Sequence, residues 1–134
     1  MTSTYSRAAL AVLAAVLSVL PGCHRTPKDS GPLYIMLMFN GGACEQNGST
    51  EVIEVPADRA VIYQTAAELT DFEVRFTACP FSSCPVSSPH GRSVNVGQPN
   101  PGAGGTTFNY AGITMNHQSC NNAGTMGLRV KLTP

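Results

Sequence analysis

Three features of this 134-residue sequence point to an all-β fold, a small antiparallel Greek-key sandwich. Apolar and polar residues alternate with a period of two in several short runs, as half-buried strands require. Thirteen Gly and ten Pro punctuate those runs, which suits many turns rather than long helices. Beyond the N-terminal region, only Ala66 to Asp71 could form a helical turn.

The elements follow in order. Arg7 is the only charge ahead of an unbroken apolar run, Ala8 to Leu20. As a helix this run covers about 20 Å, too little for a hydrocarbon core of about 30 Å. One positive charge, a short apolar stretch and small residues at its end describe a secretory signal over residues 1–22. The run closes in Leu20-Pro21-Gly22-Cys23. This resembles the bacterial lipobox, with Leu20, Gly22 and Cys23 on pattern and Pro21 a less common occupant. The resemblance implies cleavage before Cys23, a diacylglycerol on its sulfur and an acylated amine. His24 stands where enterobacterial lipoproteins held at the inner membrane have Asp, so the outer membrane facing the periplasm is the expected destination. Residues 23–32 are polar, carry two prolines and read as a short tether.

Residues 33–134 form the expected folded domain. Leu33 to Phe39 is apolar on both faces, as a strand covered on each side would be. Glu51 to Val55 and Ala60 to Gln64 are short strands joined by the turn-rich Pro56-Ala57-Asp58-Arg59. Phe72, Val74 and Phe76 alternate with Glu73 and Arg75. Between Thr106 and Met115 the apolar parity slips across Ala111-Gly112, as an inserted bulge residue would cause. Leu128, Val130 and Leu132 alternate with Arg129 and Lys131 in a closing strand. In all, six or seven strands are expected.

The run Val61-Ile62-Tyr63, the strand Phe72-Glu73-Val74-Arg75-Phe76 leading to Pro80-Phe81, then Phe108-Asn109-Tyr110 and the closing Gly127 to Leu132 resemble the cupredoxin-like domains of small exported bacterial proteins. The resemblance covers most of residues 33–134. Tyr63 stands where that family often has Trp.

Composition narrows the function. Eight basic residues balance eight acidic ones. Loss of Arg7 with the signal leaves a net charge of −1, with no electrostatic drive toward nucleic acid or an anionic surface. Five cysteines leave one unpaired in an oxidising compartment, and assigning Cys23 to lipid leaves an even four. Cys44, Cys79, Cys84 and Cys120 allow three pairings. Cys79 and Cys84 are close enough to close a small ring, which leaves Cys44 with Cys120. No C-x-x-C spacing supports thioredoxin-like chemistry, and one close pair does not make a zinc ribbon.

A blue-copper centre uses His, Cys and His with a weak axial Met, and the cupredoxin motif places the second His and the Met shortly after the Cys. Here His117 precedes Cys120 and no His follows it; Cys84 is followed by His90 without a Met in reach. Copper ligands are therefore not carried over, and no cofactor is expected. A looser copper(I) site from His117, Met115, Met126 and His90 is the alternative.

Catalysis needs a nucleophile with a base, or two carboxylates in reach of one bond. Glu51 and Glu54 fall on opposite faces of one strand, and Ser87-Ser88-Pro89-His90 reads as a loop. Gly102-Ala103-Gly104-Gly105 leads into a strand, not into a helix N-terminus that could hold phosphate. Pro85 to Thr107 reads as a long loop with few apolar residues beyond Val86, Val94 and Val96, either a binding surface for an envelope protein partner or simply a mobile link between strands. The sequence thus reads as a non-catalytic, lipid-anchored binding or structural module of the cell envelope. A periplasmic copper-binding protein with an atypical site is the alternative.

Overall fold

The computed structural model describes residues 31–66, 70–89, 91 and 93–132. The signal, Cys23, the tether as far as Ser30, and His90 lie outside the described residues, as do the central positions of the candidate turn at Ala66–Asp71.

Ten strands form among the described residues: β1 (Leu33–Asn40), β2 (Ala43–Gln46), β3 (Val52–Pro56), β4 (Val61–Thr65), β5 (Phe72–Phe76), β6 (Val86–Ser88), β7 (Val94–Gly97), β8 (Thr107–Met115), β9 (Gln118–Ser119) and β10 (Gly127–Lys131). They make two sheets. One has the order β2-β1-β4-β7; the other has the order β3-β10-β8-β5-β6, with β9 added to β8. The all-β sandwich expected from alternation is the observed fold.

Pairing corrects one part of that expectation. The sheets are mixed, because β1 runs parallel to β4 and β3 runs parallel to β10. The Pro56–Arg59 link explains both: it passes from β3 in one sheet to β4 in the other, so the two strands never pair as a hairpin. Side-chain alternation has the same period in either direction, so the sequence pattern could not distinguish them.

The core lies between the sheets. Ile35, Leu37, Val61 and Tyr63 face Val74, Ile113, Leu128 and Val130, all buried. The bulge forms where parity slips: Arg75 pairs with Gly112 and Phe76 with Tyr110, leaving Ala111 as the extra residue. That offset keeps both Tyr110 and Ile113 inward. Gly127 is fixed by close approach, since a Cβ there would meet the backbone carbonyl of Phe108 and lie 2.9 Å from Asn109 Cα.

Three further expectations are revised. Leu33 to Phe39 is covered on one side only, for Tyr34 and Met38 are exposed on the other. Leu132 lies beyond β10 and is 75% exposed, so the inward alternation ends at Val130. The segment from Pro85 to Thr107 contains β6 and β7. Those strands use the few apolar residues there: Val86 is buried, and Val94 and Val96 pack against the core.

Candidate functional site

The four domain cysteines are paired as Cys44–Cys120 and Cys79–Cys84. The first closes 76 residues and ties β2 to the segment after β9. Asn122 reinforces it: its Oδ1 accepts from Cys44 N at 2.8 Å and its Nδ2 donates to Cys44 O at 2.9 Å. The second closes a ring of the turn after β5 and seats Phe81 in the core, 2% exposed, edge-on to Phe76. Asn100 holds the ring from outside, donating its backbone N–H to Pro80 O and its Nδ2 to Phe81 O.

Inside the sandwich lies a polar chain that the sequence reading did not anticipate. Gln46 is fully buried, and its Nε2 donates to Glu51 O and to Gly127 O, each at 2.9 Å. Both amide hydrogens being used, Oε1 is the acceptor, and Tyr110 donates to it at 2.6 Å. With its proton so committed, Tyr110 accepts from the Tyr63 hydroxyl at 3.0 Å. Every donor in this chain has an acceptor, which is the condition for a buried polar group to be tolerated. Burial holds both phenols well above their ordinary ionisation range, and for Tyr63 the neighbouring Tyr110 adds to the effect. They remain neutral donors and hold sheet to sheet. The available signal was weak: Gln46 shares inward parity with Cys44, and the bulge turns Tyr110 inward.

A shallow cavity of about 260 Å³ opens at one end of the β8/β5/β6 sheet, lined by Asp71, Glu73, Ser88, Thr114 and His117. His117 reaches it from the two-residue β8–β9 hairpin, where Asn116 and His117 both have positive φ, 49° and 64°. Two such residues in succession match the twist a tight hairpin needs. Asn116 secures the hairpin, donating its N–H to Asp71 O at 2.8 Å and accepting from Asp71 N at 3.2 Å. Ser88 is 2% exposed, and its Oγ makes no hydrogen bond within the protein. Among the described residues no base is in contact with it, so no serine–base pair is formed by them.

Of the alternative copper ligands, His90 lies outside the described residues, and Met115 and Met126 are apart. Met126 is fully buried, Met115 is 5% exposed, and His117 sits on the surface. Met126 O accepts from Tyr110 N, while Met115 lies five residues further along β8, about 17 Å at strand rise. Met115 Sδ rests 3.8 Å from Cys44 Sγ, against the disulfide. Among the described residues no group of three or more His, Cys, Asp or Glu side chains is arranged to hold a metal.

No family model matches the sequence, and no curated protein matches it. A solved structure similar to the chain is a variant of the multicopper oxidase McoA from the hyperthermophile Aquifex aeolicus. It has a TM-score of 0.43 and 10% identity over 81% of this chain. The match covers 31% of that protein, so the chain spans about a third of its length. Likeness of this degree carries nothing about ligands or chemistry.

Proposed function

We propose that the chain is an exported, lipid-anchored module of the cell envelope, non-catalytic and serving as a scaffold or binding domain. The observation that carries this reading is the cysteine count. Four of the five cysteines are consumed in two disulfides within the sandwich, which suits an oxidising compartment and leaves Cys23 over. That remaining thiol stands directly after an apolar stretch with the lipobox pattern, where acylation would take it. Several acyl chains, at about 0.8 kcal/mol per buried CH₂, make an anchor stable where one chain is marginal.

The non-catalytic part of the reading draws on the site geometry. Among the described residues Ser88 Oγ has no hydrogen-bond partner, the buried phenols are committed to one another, and Met115 and Met126 lie apart. The loops around the Cys79–Cys84 ring and the segment from Gln98 to Gly105 are held on a rigid frame and suit a protein partner in the envelope.

Mass spectrometry of the N-terminal peptide from native membranes tests the anchor. A peptide beginning at Cys23 with added acyl mass is expected, and Cys23→Ala should release the protein from the membrane fraction. An intact Met1, or an unmodified Cys23 on membrane-bound protein, overturns the reading.

A further inference from the structure

We propose that the outer face of the β2-β1-β4-β7 sheet lies against the lipid surface, with Tyr34, Met36, Met38 and Ile62 as the side chains that meet it. The proposal rests on the anchor inferred at Cys23 and adds an orientation to it.

The two outer faces of the sandwich differ in kind. The β3-β10-β8-β5-β6 sheet turns Glu54, Glu73, Arg75, Arg129 and Lys131 outward, with ion pairs Arg75–Glu73 at 3.3 Å and Lys131–Glu54 at 3.0 Å. That is an ordinary solvated face. On the opposite side, Tyr34, Met36 and Met38 follow one another along β1, and the register places Ile62 of β4 beside Tyr34. Tyr34 is 51% exposed and Met38 42%, and none of the four belongs to the interior cluster. Outward neighbours on this face are the uncharged Gln64 and Asn95; Glu45, opposite Met38, is the single charge among the described residues of its strands.

The position of the anchor selects the occupant. Ten residues lead from Cys23 to Leu33. Covalent geometry limits their reach to about 35 Å. Arg59 fixes the point of entry, donating Nε to Gly31 O at 2.7 Å and Nη2 to Pro32 O at 3.1 Å. The first outward residue after that point is Tyr34. A tether this short holds the apolar face within a domain diameter of the bilayer, at an effective concentration in the millimolar range. Tyrosine suits the headgroup boundary, with its ring in apolar surroundings and its hydroxyl wet. The near-absence of charge means that zwitterionic lipid suffices.

The sequence contains no Trp, so a single introduced indole reports its own environment. The lipidated chain carrying Met38→Trp, placed in phosphatidylcholine vesicles, should show blue-shifted emission quenched by brominated acyl chains. Thr114→Trp, on the charged face, should show neither. Equal quenching at the two positions overturns the orientation, as does a Met38→Trp blue shift that needs no vesicles and grows with protein concentration, which marks a second copy as the occupant. Peroxide oxidation of the unmodified sequence is a variant-free check: vesicles should slow sulfoxide formation at Met36 and Met38 roughly tenfold, matching about 1.4 kcal/mol of protection. An unchanged rate overturns the proposal. If the N-terminal peptide carries no lipid, the anchor fails instead; these outcomes are separate.

Discussion

The hydroxyl of Tyr63 lies 3.0 Å from that of Tyr110, and the two residues belong to opposite sheets of the sandwich. Because Tyr110 donates onward to Gln46, the two phenols play unequal parts. Tyr63→Phe removes one donor and leaves Tyr110 bonded to Gln46, at a cost of about 1 kcal/mol. Tyr110→Phe leaves Gln46 Oε1 and the Tyr63 hydroxyl without partners in the core, and should cost about 2–3 kcal/mol. Urea midpoints of the two variants check the order; equal losses would mean that the chain does not run from Tyr63 to Gln46.

The same burial makes stability pH-dependent at the alkaline end. A tyrosine in the unfolded chain ionises near 10.0, while both buried phenols stay protonated above it. Above about pH 10 the unfolded state therefore binds fewer protons, and stability falls as pH rises. Below that value the contribution is fully present. With two such groups the slope approaches about 2.7 kcal/mol per pH unit, and Tyr63→Phe should halve it. Denaturation midpoints between pH 8 and 11.5 measure the slope.

Removal of the two disulfides should have unequal consequences. By chain entropy the 76-residue tie is worth about 4.5 kcal/mol and the five-residue ring about 2. Replacing Cys44 and Cys120 together by Ala should thus lower the melting temperature by more than twice as much as replacing Cys79 and Cys84. Calorimetry of the two double variants decides it.

The β8–β9 hairpin offers a substitution expected to stabilise. His117 occupies a position of positive φ that glycine adopts without strain. His117→Gly should gain about 0.5 kcal/mol, the relief of strain being partly offset by glycine's greater freedom in the unfolded chain. A loss of stability instead would show that the imidazole makes a contact worth more than its backbone strain. Chemical denaturation distinguishes the two.

What was legible in the sequence was local. Alternation located the strands around Phe72 and Leu128, because a half-buried strand must repeat every two residues whatever its neighbours are, while a continuous apolar run marked the strand at Leu33 and bounding turn residues the one at Val61. The parity slip at Ala111-Gly112 announced a bulge for the same reason, and the spacing of Cys79 and Cys84 anticipated the small ring. The partner of each strand was not local. Nothing in Val52–Pro56 or Val61–Thr65 says that the link between them changes sheets, so the parallel pairs β1/β4 and β3/β10 emerged only from the packing. The buried chain from Tyr63 through Tyr110 to Gln46 was hidden likewise, since its three members lie on separate strands and a glutamine earns burial only by partners that folding supplies. The two outer faces also required the fold: the apolar run at β1 fits a strand covered on both sides, and only the arrangement of the sheets left Tyr34 and Met38 uncovered. Sequence set the period of each strand and the cysteine count; the tertiary structure decided which faces met, because contacts between distant segments depend on where every other segment already lies.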